Sequence, residues 1–344
     1  MSTTTTETRA AGPAAPGEPP QGTGLLGRLR SSLQQMLAFV SLIVLFIFFT
    51  VANPDFASVS NISGILLATA VIGILALGTT FVIITGGIDL SIGTGMTLCS
   101  VMVGVFLTYW GLPLWVGVLG GIAFGALIGL VNGSVISFLG IPPFIATLAM
   151  MMVAQGLALV ISGTKPIYFT ETPGFFNVAM GRSIPGLVIP NAVIIMFIAA
   201  IIAWVLLSRT VFGRYTFSIG SNAEATALSG INVRRWQVIV YTVAGCFTGL
   251  AGVIMASRLS SAQPGQGMGY ELEAIAAVII GGTSLQGGKG SIIGTVIGAL
   301  IMSVLTNGLQ IMSIPQEWQK VVVGVVILIA VFVDMVRRKR QEST

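Results

Sequence analysis

The chain predicts an all-α polytopic membrane protein of about ten transmembrane helices, and three observations carry that expectation. Of 344 residues, 54% are hydrophobic and only 8% are charged, with a mean hydropathy of +0.97. A soluble domain carries about 25% charged residues. Apolar runs of about 20 residues recur along the chain, the length a helix needs to cross a bilayer core. The runs do not alternate apolar with polar residues, so the backbone groups inside lipid must be satisfied by helices and not by a closed barrel. Basic residues flank the runs, so the net charge of +5 reads as an orientation signal and not as a nucleic-acid surface.

Residues 1–27 are rich in Thr, Ala, Pro and Gly, with few large apolar side chains. Such a stretch cannot bury a core, and residues 1–32 are expected to form a disordered cytoplasmic tail. Arg28 and Arg30 arrive only just before a span-length run, which is not the pattern of a cleavable signal peptide. They place the amino terminus inside, and Arg337, Arg338, Lys339 and Arg340 place the basic tail 337–344 inside as well. Between the tails lies a transmembrane domain, 33–336, whose expected spans are 34–52, 62–85, 91–109, 113–139, 142–163, 191–208, 236–257, 272–286, 291–312 and 318–335. An even number of spans agrees with both termini on one side. The eighth is the weakest, because it is short and runs into GGTSLQGGKG, where a re-entrant half-helix would fit.

Gly117, Gly121, Gly125, Gly129 and Gly133 recur every fourth residue along the fourth span, and Gly290, Gly294 and Gly298 repeat the device in the ninth. Lipid gives helices no hydrophobic reason to associate, so close backbone approach must supply the contact. Tight packing within the bundle is the expected use of both stripes. Cys99 and Cys246 lie inside apolar runs and read as small core residues.

The polar island Arg209–Arg235 stands out against this background. It carries Arg209, Arg214, Arg234 and Arg235 against one acid, Glu224, and therefore belongs on the cytoplasmic side. Ser221 precedes Glu224 by three residues, the spacing of a capping box, and Gly230 supplies a left-handed stop. A short helix between these points would either dock a partner or lie on the lipid surface. Segment 164–190, with its aromatics and prolines, is expected outside as a surface element.

Candidate pathway residues are few. Asp89, in GGIDLSIG, is the only carboxylate between Asp55 and Glu171. A charge at bilayer depth costs about 2.5–3.5 kcal/mol on insertion scales. Asp89 would either order a gate or cap the third span at the membrane edge, with Ser91 as a further cap. Asn132, Gln155, Asn307 and Gln310 are neutral hydrogen-bonding groups inside spans, suited to a sugar-like solute or simply to joining helices. No histidine is present, no metal or cofactor site is implied, and no catalytic residue is assigned. The GGTSLQGGKG loop is not a phosphate-binding loop: Thr283 stands where the first glycine belongs, and Gly290 follows Lys289 where Ser or Thr is needed.

Four segments together resemble the membrane permeases of bacterial ABC importers for ribose, xylose, galactose and similar monosaccharides: GGIDLSIG (86–93), FGRYTFSIGSNAEATALSGI (212–231), YELEAIAAVIIGGTSLQGGKGSIIGT (270–295) and NGLQIM (307–312). The resemblance runs from about residue 35 to the end. It implies a type II ABC-importer-like permease in the bacterial plasma membrane, a permease homodimer or sibling pair, a separate cytosolic ABC ATPase, and an extracytoplasmic sugar-binding protein. It implies coupling roles for Gly213, Arg214, Asn222, Glu224, Ala225, Ser229 and Gly230. One departure is Ser221-Asn222, where Gly-Asn is expected. Branched-chain amino-acid permeases share the architecture, with loops that fit less well. The rival reading from residues alone is a stand-alone ion-coupled carrier, against which the scarcity of intramembrane carboxylates and histidines weighs.

Overall fold

A computed structural model describes residues 25–184 and 189–342. Among the described residues the chain is helical almost throughout, and eight helices are long and apolar enough to cross a membrane. The elements in order are α1 (Leu25–Ala52), α2 (Val59–Ile84), α3 (Ile92–Gly104, continued by a π-helical turn Val105–Tyr109), α4 (Leu114–Leu139), α5 (Pro143–Ser162), β1 (Ile167–Tyr168), α6 (Phe175–Met180), α7 (Asn191–Arg209), α8 (Val211–Ser221), α9 (Ala223–Leu228), α10 (Val233–Leu259), β2 (Ser261–Ala262), α11 (Tyr270–Ile280), α12 (Ile292–Ile311) and α13 (Gln316–Glu342).

α2 is the axle of the bundle. It is apolar on every side, and each residue from Thr69 to Ile84 is buried, as expected of a helix with neighbours all round. α10, α12, α7 and α11 surround it. Phe81 stacks edge-on to Phe212 with centroids 5.2 Å apart, which ties the axle to α8. α4, α5, α7 and α13 lie at the periphery and expose large apolar side chains where lipid would be.

The first glycine stripe packs α4 on α10 as expected. A Cβ at Gly129 would meet the Tyr241 carbonyl, one at Gly125 the Gly249 nitrogen at 2.6 Å, and one at Gly133 the Cα of Val238 at 2.8 Å. The seam is reciprocal, because a Cβ on Gly249 would lie 2.6 Å from the Gly121 carbonyl. The second stripe packs α12 on α11, with Gly294 against Gly281 and Gly298 against the Ala277 carbonyl.

β1 and β2 pair antiparallel, Ile167 with Ala262 and Tyr168 with Ser261, and mark one end of the bundle. α6 sits beneath them, held by Ser257, whose Oγ donates to the Phe175 carbonyl at 2.6 Å and accepts from the Ala179 N–H at 2.9 Å. The α8–α9 island marks the other end.

Three expectations need correction. The expected eighth span, 272–286, is an 11-residue helix, α11. At 1.5 Å per residue it covers about 16 Å, half of a ~30 Å core. The segment before it, 263–269, runs as non-helical turns, because Gly265, Gly267 and Gly269 weaken a helix there and Gly269 takes φ +100. The crossing itself survives. Residue 262 lies in the β1–β2 pair and Gly288 abuts the end of α2, so the segment still joins the two ends of the bundle. The amino-terminal boundary also moves: α1 begins at Leu25, within the segment assigned to the tail, because Leu25 to Arg30 contain no proline and continue the span. Residues 1–24 lie outside the described residues. At the other end, α13 continues through Glu342 and takes most of the expected 337–344 tail into the helix.

Candidate functional site

Two spans break at the same depth, and their broken ends meet. The first break follows α2. Gly86 adopts φ +80 and Gly87 donates its N–H to the Val82 carbonyl at 3.1 Å, which turns the chain out of the helix. Residues 86–91 then run without helical bonds. Backbone polar groups inside a membrane need protein partners, and Thr147 of α5 supplies one: the Leu90 N–H donates to Thr147 Oγ1 at 3.2 Å, and the Ile88 carbonyl lies 3.2 Å from the same hydroxyl.

Asp89 is 4% exposed and lies inside the bundle. Its Oδ1 accepts from the Ser91 N–H at 2.8 Å and from Ser91 Oγ at 2.6 Å, and Asn132 Nδ2 donates to Ser91 Oγ at 2.9 Å. Asp89 thus braces the first turn of α3. Ser91, expected as a cap, makes no side-chain capping bond of its own. Its hydroxyl is drawn back to the carboxylate. Gly87 is required by Tyr241 of α10, since a Cβ there would sit 2.5 Å from the tyrosine oxygen.

The second break precedes α11. Gly267 packs on the Gly93 carbonyl and Thr97 Oγ1, in the first turns of α3. Glu271 folds back so that the Gly269 N–H donates to its Oε1 and Oε2 at 3.0 and 3.1 Å. The span-length α3 and the half-length α11 therefore begin side by side with their own carboxylates at their N-termini, where negative charge is favoured. Gly104 packs against Ile167 of the hairpin, and Gly93 lies eleven residues below it on α3. At 1.5 Å per residue that is about 16 Å, close to the middle of a ~30 Å core.

At the island end, three backbone segments meet without intervening side chains. The Gly288 N–H donates to the Ile84 carbonyl at 2.9 Å. A Cβ on Gly220 would overlap that carbonyl and approach the Gly288 nitrogen at 2.7 Å, and one on Gly288 would meet Ser221 Oγ at 2.9 Å. Gly287 and Gly288 hold φ of +86 and +72, so the 281–291 turn needs glycine for conformation as well as space. This node joins the end of α8 to the chain entering the first break and to the chain leaving α11.

Beyond the node, α9 is six residues long. Its cap is Asn222, whose Oδ1 accepts from the Ala225 N–H at 2.9 Å. The expected Ser221 capping box is displaced by one residue because Ser221 still belongs to α8. The stop is as expected, with Gly230 at φ +84. Arg214, Asn222, Glu224, Ala225, Ser229 and Gly230 are exposed on the island, while Gly213 is buried against the Leu207 carbonyl of α7. Leu228 is 90% exposed at the tip.

Of the expected pathway residues, Asp89 and Asn132 come together. Gln155 is elsewhere at mid-depth, its Nε2 donating to Met268 Sδ at 3.2 Å beside the second break. Asn307 lies at the hairpin end of α12, with its Oδ1 unpartnered. Sequence reading missed α8, the Gly220–Gly288 node, Tyr241 and Glu271. The glycines at 281–290 were the one available signal for the node.

A half-length helix meeting the start of a span-length one, joined by backbone contacts to an exposed helical island in an apolar helical bundle, fits a polytopic helical permease. The chain belongs to the family described as "Branched-chain amino acid transport system / permease component", whose model matches residues 61–331. It is 46% identical over 302 residues to the ribose import permease protein RbsC of Bacillus subtilis, covering 88% of this chain and 93% of the relative. It is 43% identical over 307 residues to RbsC of Escherichia coli K12, covering 88% and 94%. The fructose import permease protein FrcC of Rhizobium meliloti is 36% identical over 327 residues, covering 92% and 90%. No solved structure matches the chain.

Proposed function

We propose that the chain is the permease subunit of an ATP-binding-cassette importer for a neutral monosaccharide. The observation that carries the reading is the node at Gly220, Ile84 and Gly288, which couples an exposed docking island to both broken spans. The sugar comes from the relatives, which are ribose and fructose import permeases. A transport-system permease component is not a catalytic subunit, and a separate cytosolic ATPase hydrolyses the ATP. Arg209, Arg214, Arg234 and Arg235 support an island end on the cytoplasmic side of the bacterial plasma membrane, with both termini. A sugar-binding protein delivers solute at the hairpin end, and two permease copies enclose the passage.

In this reading the ATPase grips α9 through Leu228, Glu224 and the neighbouring exposed backbone. Movement of the island shifts the Gly220 node, and the node moves the chain on either side of it. The inner leg of the first break and the inner half-helix of the second then open or close together. Asp89 and Asn132 hold the top of that inner leg in register with α3, and Asn307 lies near the entrance.

Co-expression with an ATPase and a binding protein tests the scheme. Glu224→Ala combined with Gly230→Val should abolish sugar uptake while the ATPase continues to hydrolyse ATP. Unchanged uptake by that double variant, or failure of the chain to co-purify with any ATPase, overturns the coupling assignment.

A further inference from the structure

The second break has an open side, and lipid cannot cover it. Gly265, Gln266 and Met268 are exposed, Met268 to 56%, and the chain that carries them runs as irregular turns at membrane depth. Irregular backbone survives at that depth only when buried in protein or lining a water-filled cavity. Two further polar groups lie on the same side. Gln155 on α5 reaches Met268, and Glu273 is half-buried in the first turn of α11. Intramembrane amides and carboxylates of this kind face a bundle interior or an aqueous passage, not acyl chains. At the first break only Gly86, at the turn out of α2, is exposed; Asp89 is buried and Thr147 bonds the Leu90 N–H and the Ile88 carbonyl.

We infer that the 263–273 segment and the Gln155 face of α5 form the wall of the solute passage, with amide and carboxylate groups presented to a hydroxyl-rich neutral solute. This rests on the proposed transport of a neutral sugar and adds the location of the path. The half-helix N-termini at this level support the neutral class. Asp89 and Glu271 already occupy them, so no vacant positive pole remains to draw an anion into the membrane. The apolar faces of α4 and α7, where exposed residues such as Ile201 carry no polar neighbour of this kind, are left to lipid.

Cysteine accessibility in membrane vesicles tests the inference. Met268→Cys, Gln266→Cys and the lipid-facing control Ile201→Cys are each treated with the membrane-impermeant cation MTSET. Wild type, whose Cys99 is buried and Cys246 half-buried, sets the blank. At least one of the 266 and 268 variants should react on the order of 10-fold faster than the 201 variant, because water reaches one face and not the other. Its modification should cut ATP-dependent uptake of D-ribose by about fivefold or more, with no such loss for the 201 variant. Reaction at 266 and 268 no faster than at 201 overturns the inference, as does full modification without loss of uptake. Labelling requires neither the ATPase nor the correct sugar, so a failed wall with intact ATP-driven uptake leaves the proposed function standing.

Discussion

The two breaks are built alike and finished differently. Each is a glycine-bearing non-helical stretch, each leads into a helix whose first turns touch the other segment, and each sets its own carboxylate at that helix's start. The first is closed around its carboxylate, with Asp89 bonded to Ser91, Ser91 to Asn132 and the backbone to Thr147, and only Gly86 at its turn is exposed. The second presents Gly265, Gln266 and Met268 at the surface. A sealed break holds a helix in place, whereas an open one offers backbone and side chains to whatever passes. In the proposed scheme the difference separates a fulcrum from a wall, although the glycine content of the two segments is similar.

The comparison breaks most readily at the node that serves both. Gly220→Val forces a side chain into the Ile84 carbonyl and the Gly288 backbone. Uptake by cells carrying it should fall by about tenfold or more, a loss on the order of 1.4 kcal/mol or greater, and uptake near wild type would show that the node transmits nothing. The sealed break comes next. Asp89→Ala strips two hydrogen bonds from Ser91 and should destabilise the detergent-solubilised protein by about 1–3 kcal/mol in thermal unfolding, with Asp89→Asn less harmful. Equal stability of Asp89→Ala and wild type would remove the fulcrum from the account. On the island, Asn222→Ala loses the α9 cap and should cost about 1 kcal/mol of local helix stability. Faster amide exchange over residues 223–228, with none in α8, is the readout. The smallest effect belongs to the open break: nothing lies within 4 Å of a Cβ at Gly265, and its φ is not positive. Gly265→Ala should leave the unfolding free energy within the roughly ±0.5 kcal/mol typical of surface changes, read by thermal unfolding. A large loss there would mean that the second break is as tightly packed as the first.

Much of this architecture was legible in the residues because membranes simplify the code. Apolar run length sets spans, and nine of the ten expected runs correspond to helices of the bundle. Glycine at every fourth position announced the α4–α10 seam. The eighth run misled because hydropathy reports how apolar a segment is and not whether it is hydrogen-bonded as a helix. Gly265, Gly267 and Gly269 carried the missing information, ahead of the run and not within it. The capping error at Ser221 has a local cause: Ser and Asn are both good caps, adjacent in sequence, and only the continuation of α8 decides between them. The node was illegible for a different reason. Ile84, Gly220 and Gly288 are far apart along the chain, and no local pattern says that three backbones will touch.

The α4–α10 seam has a consequence for how this protein can change over generations. Contact there is main chain against main chain, with Gly121 and Gly125 facing Gly245 and Gly249. A larger residue on one helix would need space that the opposite helix cannot surrender, since a glycine has nothing left to trim. No pair of compensating replacements has a tolerable first member, so drift should leave these positions alone while the lipid-facing sides of the same two helices wander freely.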